Sequence, residues 1–426
     1  MIATQTTDVT PVTTVPDLQG LQRVIDQHFP HLWPAVEAGL SVCATVLLAD
    51  NANPTALIYV GPSGAGKTTV ARLFEEAKFL VYRSDEFTAR SFVSQSANRS
   101  RAELETIDLL PRIKNKVLLT PELAPMFRGK FDDLLPRFTI ITRILDGQGY
   151  TCDSGVHGQR GYTGEYLFSW IGCTIRFESI IWKVMGQLGS RLFFFDLAPA
   201  GGPSVDELSA VLSGPVSYHQ AVRECQGAVK AFLEATFAHY GGVQKVTWKP
   251  QADAEVVPMI SRLASVLAVL RTFVDHTHQG EAPVPESPYR ANAILYNMAR
   301  GHALISGRTH LTAEDVPRVA RIVLSSIPKE RAQVLAAFAA RTTTALTVRQ
   351  VAQAASVAEG TAERIMDDLN RIRFAHFTRA GQGKAATSVL GQYWAWCVEP
   401  TFAALIRDAA TSQKLGGAWD REHINI

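Results

Sequence analysis

The chain has 426 residues, 46% of them hydrophobic and 19% charged, with a formal net charge of +2. That length leaves room for two or three domains, each with its own core. The near-neutral balance excludes a nucleic-acid binder that works by bulk charge, so any DNA contact must come from a local patch.

No apolar run approaches the roughly 18 residues that a membrane span needs, and Met1 to Pro16 lacks the basic start and apolar core of a signal peptide. Five cysteines, Cys43, Cys152, Cys173, Cys225 and Cys397, lie far apart with no CxxC pair, which fits reduced thiols and offers no zinc pattern. A cytoplasmic protein with no membrane contact is the expectation.

Residues 1–16, rich in Thr and Val without helical period, read as a flexible tail, and a helical lead-in follows from Asp17 to Leu40. From there to about Gly202 apolar strand-like runs alternate with helical stretches, the rhythm of a parallel αβ sheet. The strand candidates are 56–60, 78–82, 116–119, 167–173 and 191–196. The first runs directly into Gly61-Pro62-Ser63-Gly64-Ala65-Gly66-Lys67-Thr68-Thr69 and then into an amphipathic helix bearing Val70, Leu73 and Phe74. This is a phosphate-binding P-loop in its strand-loop-helix context. Its glycines let the backbone aim N–H groups at phosphate oxygens, Lys67 can reach the β and γ phosphates, and the Thr68 hydroxyl can ligate Mg²⁺. The cofactors expected are therefore ATP and Mg²⁺.

A P-loop alone does not separate phosphoryl transfer to a substrate from hydrolysis that drives motion. The run KVLLTPE, from Lys116 to Glu122, is a buried-strand pattern ending in a carboxylate, where a Walker B Glu polarises the attacking water. The Asp that usually precedes this Glu is absent, with Thr120-Pro121 in its region, which leaves metal binding there in doubt. Asp85-Glu86, after the second strand, is the rival. Thr174 ends the strand LFSWIGCT at the place of a γ-phosphate sensor. Arg191 stands immediately before the apolar run to Asp196, where an arginine finger reaching a neighbouring subunit's nucleotide would sit. Pairing of that arginine with a nearby carboxylate is the alternative.

Between the Glu122 and Thr174 strands, residues Tyr150 to Tyr162 read as a hairpin with a Gly-rich tip. The stretch from Ser204 to about Ser326 reads helical almost throughout, broken at Gln279 to Pro288, and is expected to form a lid. The last segment, from Pro328, is expected to fold separately. Within it, Leu346 to Ile372 carries a helix-turn-helix pattern: Thr347 caps one helix, a turn spans Ala355 to Val357, and a second helix places Ala362, Ile365, Met366 and Leu369 on its apolar face. A glycine-rich basic stretch from His376 to Lys384 follows as a wing. Arg364, Arg379 and Lys384 are candidate contacts to DNA, although Glu359, Glu363, Asp367 and Asp368 crowd the same helix and favour a protein-docking or structural role. Trp394, Trp396 and Phe402 are expected to pack a core helix.

Taken in order, these parts resemble the AAA+ ATPases. The string Glu286-Ser-Pro-Tyr-Arg290-Ala291, then Leu295, Ala299-Arg300, Ala303-Leu304, Gly307-Arg308 and Leu311 to Val316, is similar to the lid of MoxR-type AAA+ proteins. The GSRLFFFDL segment is similar to the arginine-finger strand of minichromosome-maintenance helicases. The resemblance covers about residues 40 to 326, and with the helix-turn-helix pattern read above the expectation is an α/β fold with a P-loop core over 17–202, an α-helical lid over 203–326 and a winged-helix domain over 327–426. It makes Arg290 a sensor 2 arginine through which the lid feels the nucleotide, and it projects the hairpin toward a central channel with His157 and Arg160 as substrate contacts. Sensor 1 is Thr174 where these families often have Asn.

Two functional readings follow. One is an ATP-hydrolysing machine, assembled as a homo-oligomer and acting on or bound to DNA. The other is a slowly hydrolysing, ATP-gated regulator or scaffold that switches a protein partner, in a defence or mobile-element system for example. A small-molecule P-loop kinase would give Asp85 a substrate role and leaves the lid and winged helix without one.

Overall fold

The structure is a computed structural model. It describes residues 16–94, 99–154, 158–175, 178–189, 191–197, 205, 209, 216–276, 282–342, 344–381 and 385–413. The amino-terminal tail, the hairpin tip with His157, and Lys384 of the basic stretch therefore lie outside the described residues.

The strands are β1 (Thr55–Val60), β2 (Val81–Arg83), β3 (Val117–Thr120), β4 (Gly149–Ser154), β5 (Gly158–Thr163), β6 (Ser169–Thr174), β7 (Leu192–Asp196), β8 (Ala345–Thr347), β9 (Ala375–Thr378) and β10 (Thr387–Leu390). Five of them make one parallel sheet in the order β2-β3-β6-β1-β7. β1 and β6 are buried at every position, as strands covered on both faces must be.

The pleat divides their side chains between two apolar layers. Leu57, Tyr59, Ile171, Cys173, Phe193 and Phe195 face one layer, while Ala56, Ile58, Val60, Trp170 and Phe194 face the other. Against the second layer pack the helices Leu109–Ile113, Phe131–Ile144 and Ser179–Leu188. The hairpin expected from its glycines is present as antiparallel β4 and β5, paired from Gly149↔Thr163 to Ser154↔Gly158.

Against the first layer lie the helix that follows the P-loop, Lys67–Leu73, and the helix Trp33–Ala44. The lead-in is thus two helices, Leu18–His28 and Trp33–Ala44, because Pro30 and Pro34 interrupt the ladder between them. Trp33–Ala44 is buried almost all round, as befits a helix with no polar face. The helix Tyr289–Ile305 crosses it closely at Gly301, where a Cβ would lie 2.0 Å from the Ser41 carbonyl oxygen. The helices Tyr218–His239, Val257–Leu270 and Val316–Ser325 complete the helical segment.

Its contact with the sheet is also polar. Ser326 Oγ accepts from the Phe194 amide at 2.8 Å and Ser325 Oγ from the Asp196 amide at 3.1 Å, so lid hydroxyls satisfy donors along the edge strand β7. A buried charge network adds to the joint. Glu37 accepts from Arg318 Nε at 2.9 Å and meets His302 Nε2 at 3.4 Å. His302 Nδ1 lies 2.6 Å from Asp315, which also receives two Arg308 hydrogen bonds at 2.8 Å.

The carboxy-terminal segment runs helix Lys329–Arg341, β8, helix Val348–Ala355, helix Glu359–Arg371, β9 and β10, with the three strands antiparallel in the order β8-β10-β9. Thr347 caps its helix by accepting from the Gln350 amide, and Ser356 takes a left-handed φ of 53° in the turn. Trp394 and Phe402 are buried, Phe402 in the helix Pro400–Ser412. The segment does not pack only on itself, because Phe338, Phe402 and Ile406 belong to the same apolar cluster as Leu57 and Leu295.

Candidate nucleotide site

The P-loop leaves the carboxyl end of β1 at Val60 and enters the helix at Lys67. Gly64 and Gly66 hold φ of +83° and +85°, which L side chains adopt only with strain. A Cβ on Gly66 would also come within 2.7 Å of Leu32, so this glycine lets the 29–32 segment close over the loop. Lys67 Nζ donates to the carbonyls of Gly61 at 2.8 Å and Pro62 at 2.6 Å, which holds the ammonium over the bend. Ser63 and Thr68 are exposed, Ala65 is half-buried, and Thr69 Oγ1 shares a hydrogen bond of 2.9 Å with Tyr218 OH.

The next two strands deliver their ends beside this loop. β6 is the neighbour of β1, with Val60 opposite Thr174, and β3 is the neighbour of β6, with Thr120 opposite Gly172. With strands about 4.8 Å apart, Thr174 lies one step from the P-loop strand and Glu122 two steps, whereas Asp85-Glu86 follows the edge strand three steps away. Asp85 is moreover engaged by Arg83 at 2.8 Å. Leu123 N–H donates to the Cys173 carbonyl at 2.7 Å, which folds the Glu122 turn onto the end of β6. Glu122 itself is exposed, and its Oε1 accepts from the Ala124 amide at 2.9 Å.

Thr120 points the other way. Its hydroxyl accepts from Trp170 Nε1 at 3.2 Å in the opposite layer, so it does not stand in for the missing Walker B Asp. Thr174 Oγ1 is buried and has no hydrogen-bond partner among the described residues. A buried hydroxyl without a partner beside a glycine-rich loop suits a phosphate oxygen or a water. The cradle therefore fits a nucleotide, and the exposed Thr68 hydroxyl is the group of the loop that could ligate a Mg²⁺. Among the described residues no group of three or more His, Cys, Asp or Glu side chains could hold a metal by itself.

Two participants carry no sequence signal. Cys173 Sγ donates to the Lys67 carbonyl at 3.4 Å, and burial pushes its thiol up to about 12, so it stays neutral. Tyr218 clamps Thr69 from a helix that begins 149 residues later.

Arg191 and Arg290 come together elsewhere. β7 pairs with β1 from Ala56↔Leu192 to Val60↔Asp196, so Arg191 stands at the amino end of the sheet, roughly 17 Å of strand away from the P-loop. Its Nε donates to Asp146 Oδ1 at 2.9 Å, and its Nη1 to the carbonyls of Leu188 and Gly189 at 2.8 and 3.1 Å. Arg290 Nη1 lies 3.0 Å from the same Asp146 oxygen, and Arg143 Nη1 reaches Oδ2 at 3.4 Å. The carboxylate partner weighed for Arg191 thus exists. The lid places Arg290 beside Arg191 rather than over the chain's own P-loop.

In the hairpin, Gly149 and Gly161 permit strand contacts that a Cβ would block at 2.2 and 2.1 Å. Tyr162 donates to buried Asp108 at 2.8 Å, and Arg160 Nε is buried without a partner among the described residues. In the carboxy-terminal segment Arg364 and Arg379 are exposed. The far half of the Glu359–Arg371 helix is committed: Asp368 meets Arg331 at 3.1 Å and His276 at 2.8 Å, and Arg371 donates to the Asp275 carbonyl at 3.0 Å.

Residues 285–326 match the family model described as the AAA lid domain. That match, with the parallel sheet and its helices, supports an AAA+ ATPase. A comparison with curated proteins returns no match. Among the described residues no helix is long and apolar enough to cross a membrane.

Proposed function

We propose that the chain is an AAA+ ATPase that hydrolyses ATP to drive conformational work, assembled as a homo-oligomer and bound to DNA through a winged helix in its carboxy-terminal segment. The observation that carries the reading is the convergence of Gly61 to Thr69, Glu122 and Thr174 on one end of one sheet. Lys67 exchanges the Gly61 and Pro62 carbonyls for phosphate oxygens. Glu122 turns from the Ala124 amide to accept a proton from the attacking water, and the Thr174 hydroxyl holds that water in line. Thr68 would hold a Mg²⁺, which would supply positive charge to offset that of the phosphates. Arg191 and Arg290, remote from their own loop, act on the nucleotide of a neighbouring copy.

DNA contact is assigned to Arg364, Arg379 and Lys384, with His157 and Arg160 of the hairpin as further polyanion contacts. One observation favours a second reading, an ATP-gated regulator that hydrolyses slowly and switches a protein partner: no carboxylate precedes Glu122, and Thr120 is committed to Trp170. Turnover measured with and without single- or double-stranded DNA, for wild type and Glu122→Gln, separates the two. A motor is expected to be stimulated by DNA and to lose about 10² to 10⁴ in rate on substitution. Nucleotide binding with negligible turnover that ignores DNA would leave the regulator.

A further inference from the structure

Two guanidinium groups that act on one anion repel each other when the anion is not there, and a built counter-charge must hold them in place. Asp146 is that charge. It follows the helix Phe131–Ile144, and through one oxygen it holds Arg191 from the start of β7 and Arg290 from the lid helix Tyr289–Ile305. Its other oxygen faces Arg143. Asp146 and Arg191 are largely buried, at 17% and 12% side-chain exposure, whereas Arg290 is 38% exposed.

The way the bonds are distributed is informative. Arg191 spends Nε on Asp146 and Nη1 on two carbonyls, and Arg290 spends Nη1. Among the described residues this leaves Nη2 of the first, and Nε and Nη2 of the second, for another acceptor. Three arginines on one carboxylate also leave an excess of two positive charges. Tyr289, the chain neighbour of Arg290, is 84% exposed, an aromatic ring of the kind that protein interfaces cover.

We infer that Asp146 is a positioning residue that sets Arg191 and Arg290 side by side, with their remaining N–H groups presented to the triphosphate of a nucleotide held by a second copy of the chain. The inference rests on the proposed assembly and adds to it a residue from a third element, without which the two arginines lose their common orientation.

The test is a mixing experiment with full-length chains. Asp146→Asn keeps its own P-loop but presents disordered arginines, whereas Lys67→Ala keeps the arginines and loses the nucleotide. Asp146→Asn alone is expected to lower turnover tenfold or more, with the KM for ATP and the thermal midpoint little changed and Asp146→Glu retaining most activity. In an equimolar random mixture about a quarter of interfaces pair a competent nucleotide with competent arginines, so activity should recover to about a quarter of wild type. A merely structural role of Asp146 would not be rescued in this way.

Full activity of Asp146→Asn alone, or an inactive variant that Lys67→Ala subunits do not rescue, would overturn the inference. The parallel mixture of Arg191→Ala with Lys67→Ala tests the assembly itself. Recovery there with no recovery for Asp146→Asn removes only the role of Asp146, whereas no recovery in either removes the shared site along with it.

Discussion

Thr174, like Thr55 and Ser388, buries a hydroxyl that has no partner among the described residues, but it alone of the three ends the strand beside the P-loop strand at its carboxyl end. A buried hydroxyl without a hydrogen bond loses its hydration and regains nothing, a penalty of about 1 to 3 kcal/mol. Such a penalty is tolerated where a ligand or a reacting water takes the bond. Thr174→Val, which replaces the hydroxyl with a methyl group of similar shape, is therefore expected to raise stability by about 1 kcal/mol and to lower turnover. Chemical denaturation and a steady-state ATPase assay check the two effects, and a variant that is both less stable and equally active would count against the sensor role. Gly66 illustrates the opposite economy, since a left-handed φ and the closeness of Leu32 leave only glycine there. Arg191 has the carboxylate partner that one of the two alternatives for its position expected, and among the described residues its Nη2 has no hydrogen-bond acceptor.

At the scale of elements, the joint between the helix Trp33–Ala44 and the lid decides how movement at one is felt by the other. Burial pushes the Glu37 carboxyl up, but the His302 hydrogen bond and the Arg318 charge outweigh it and leave it below its ordinary range. Burial likewise pulls His302 down, and hydrogen bonds to Asp315 and Glu37 more than reverse this. For Asp315, burial is again opposed and overcome by the hydrogen bonds from Arg308 and His302, which bring it to about 2.

The signs of these shifts set a window. The raised His302 contributes stability that is complete below its ordinary value of 6.5 and is lost as pH rises through its higher folded value. The lowered Glu37 and Asp315 contribute stability that is present above their ordinary values of 4.5 and 3.8 and is lost as pH falls through the folded ones. The joint should be firmest between about pH 4.5 and 6.5. Thermal midpoints measured across pH are expected to decline on the alkaline side in wild type and to flatten there in His302→Gln. An unchanged alkaline slope would show that another group carries it. The apolar half of the same joint is tested at Gly301: Gly301→Ala drives a methyl group into the Ser41 carbonyl and should cost about 1 to 3 kcal/mol in chemical denaturation.

In the whole molecule, lid, sheet and carboxy-terminal segment share one apolar cluster, and Gln413 donates to the lid's Ser325 at 2.8 Å. The helix Pro400–Ser412 is therefore tied to the lid both by packing and by a hydrogen bond from the residue that follows it. The P-loop and Glu122 lie at one end of the sheet and Arg191 and Arg290 at the other, so the proposed function, in which all of them act on one nucleotide, draws them from two copies. Sedimentation with a non-hydrolysable ATP analogue is expected to show assembly in wild type and in Glu122→Gln. A chain that binds nucleotide and stays monomeric would contradict the shared site.

Much of this was legible before any coordinates. The five parallel strands, the P-loop and the Thr347 cap announce themselves through local pattern: apolar runs of strand length, glycines where φ must be positive, a hydroxyl three residues before its amide. Glu122 and Thr174 follow from strand ends alone. Asp146, Tyr218 and Cys173 have no such signature, because each acts on residues far away in the chain and looks locally like a turn, a helix start or a core thiol. The side on which Arg290 falls was equally undecided by sequence. The lid packs through Gly301, Ser325 and the Glu37 network, and only that packing, which depends on contacts between segments more than 100 residues apart, determines which end of the sheet an arginine can reach.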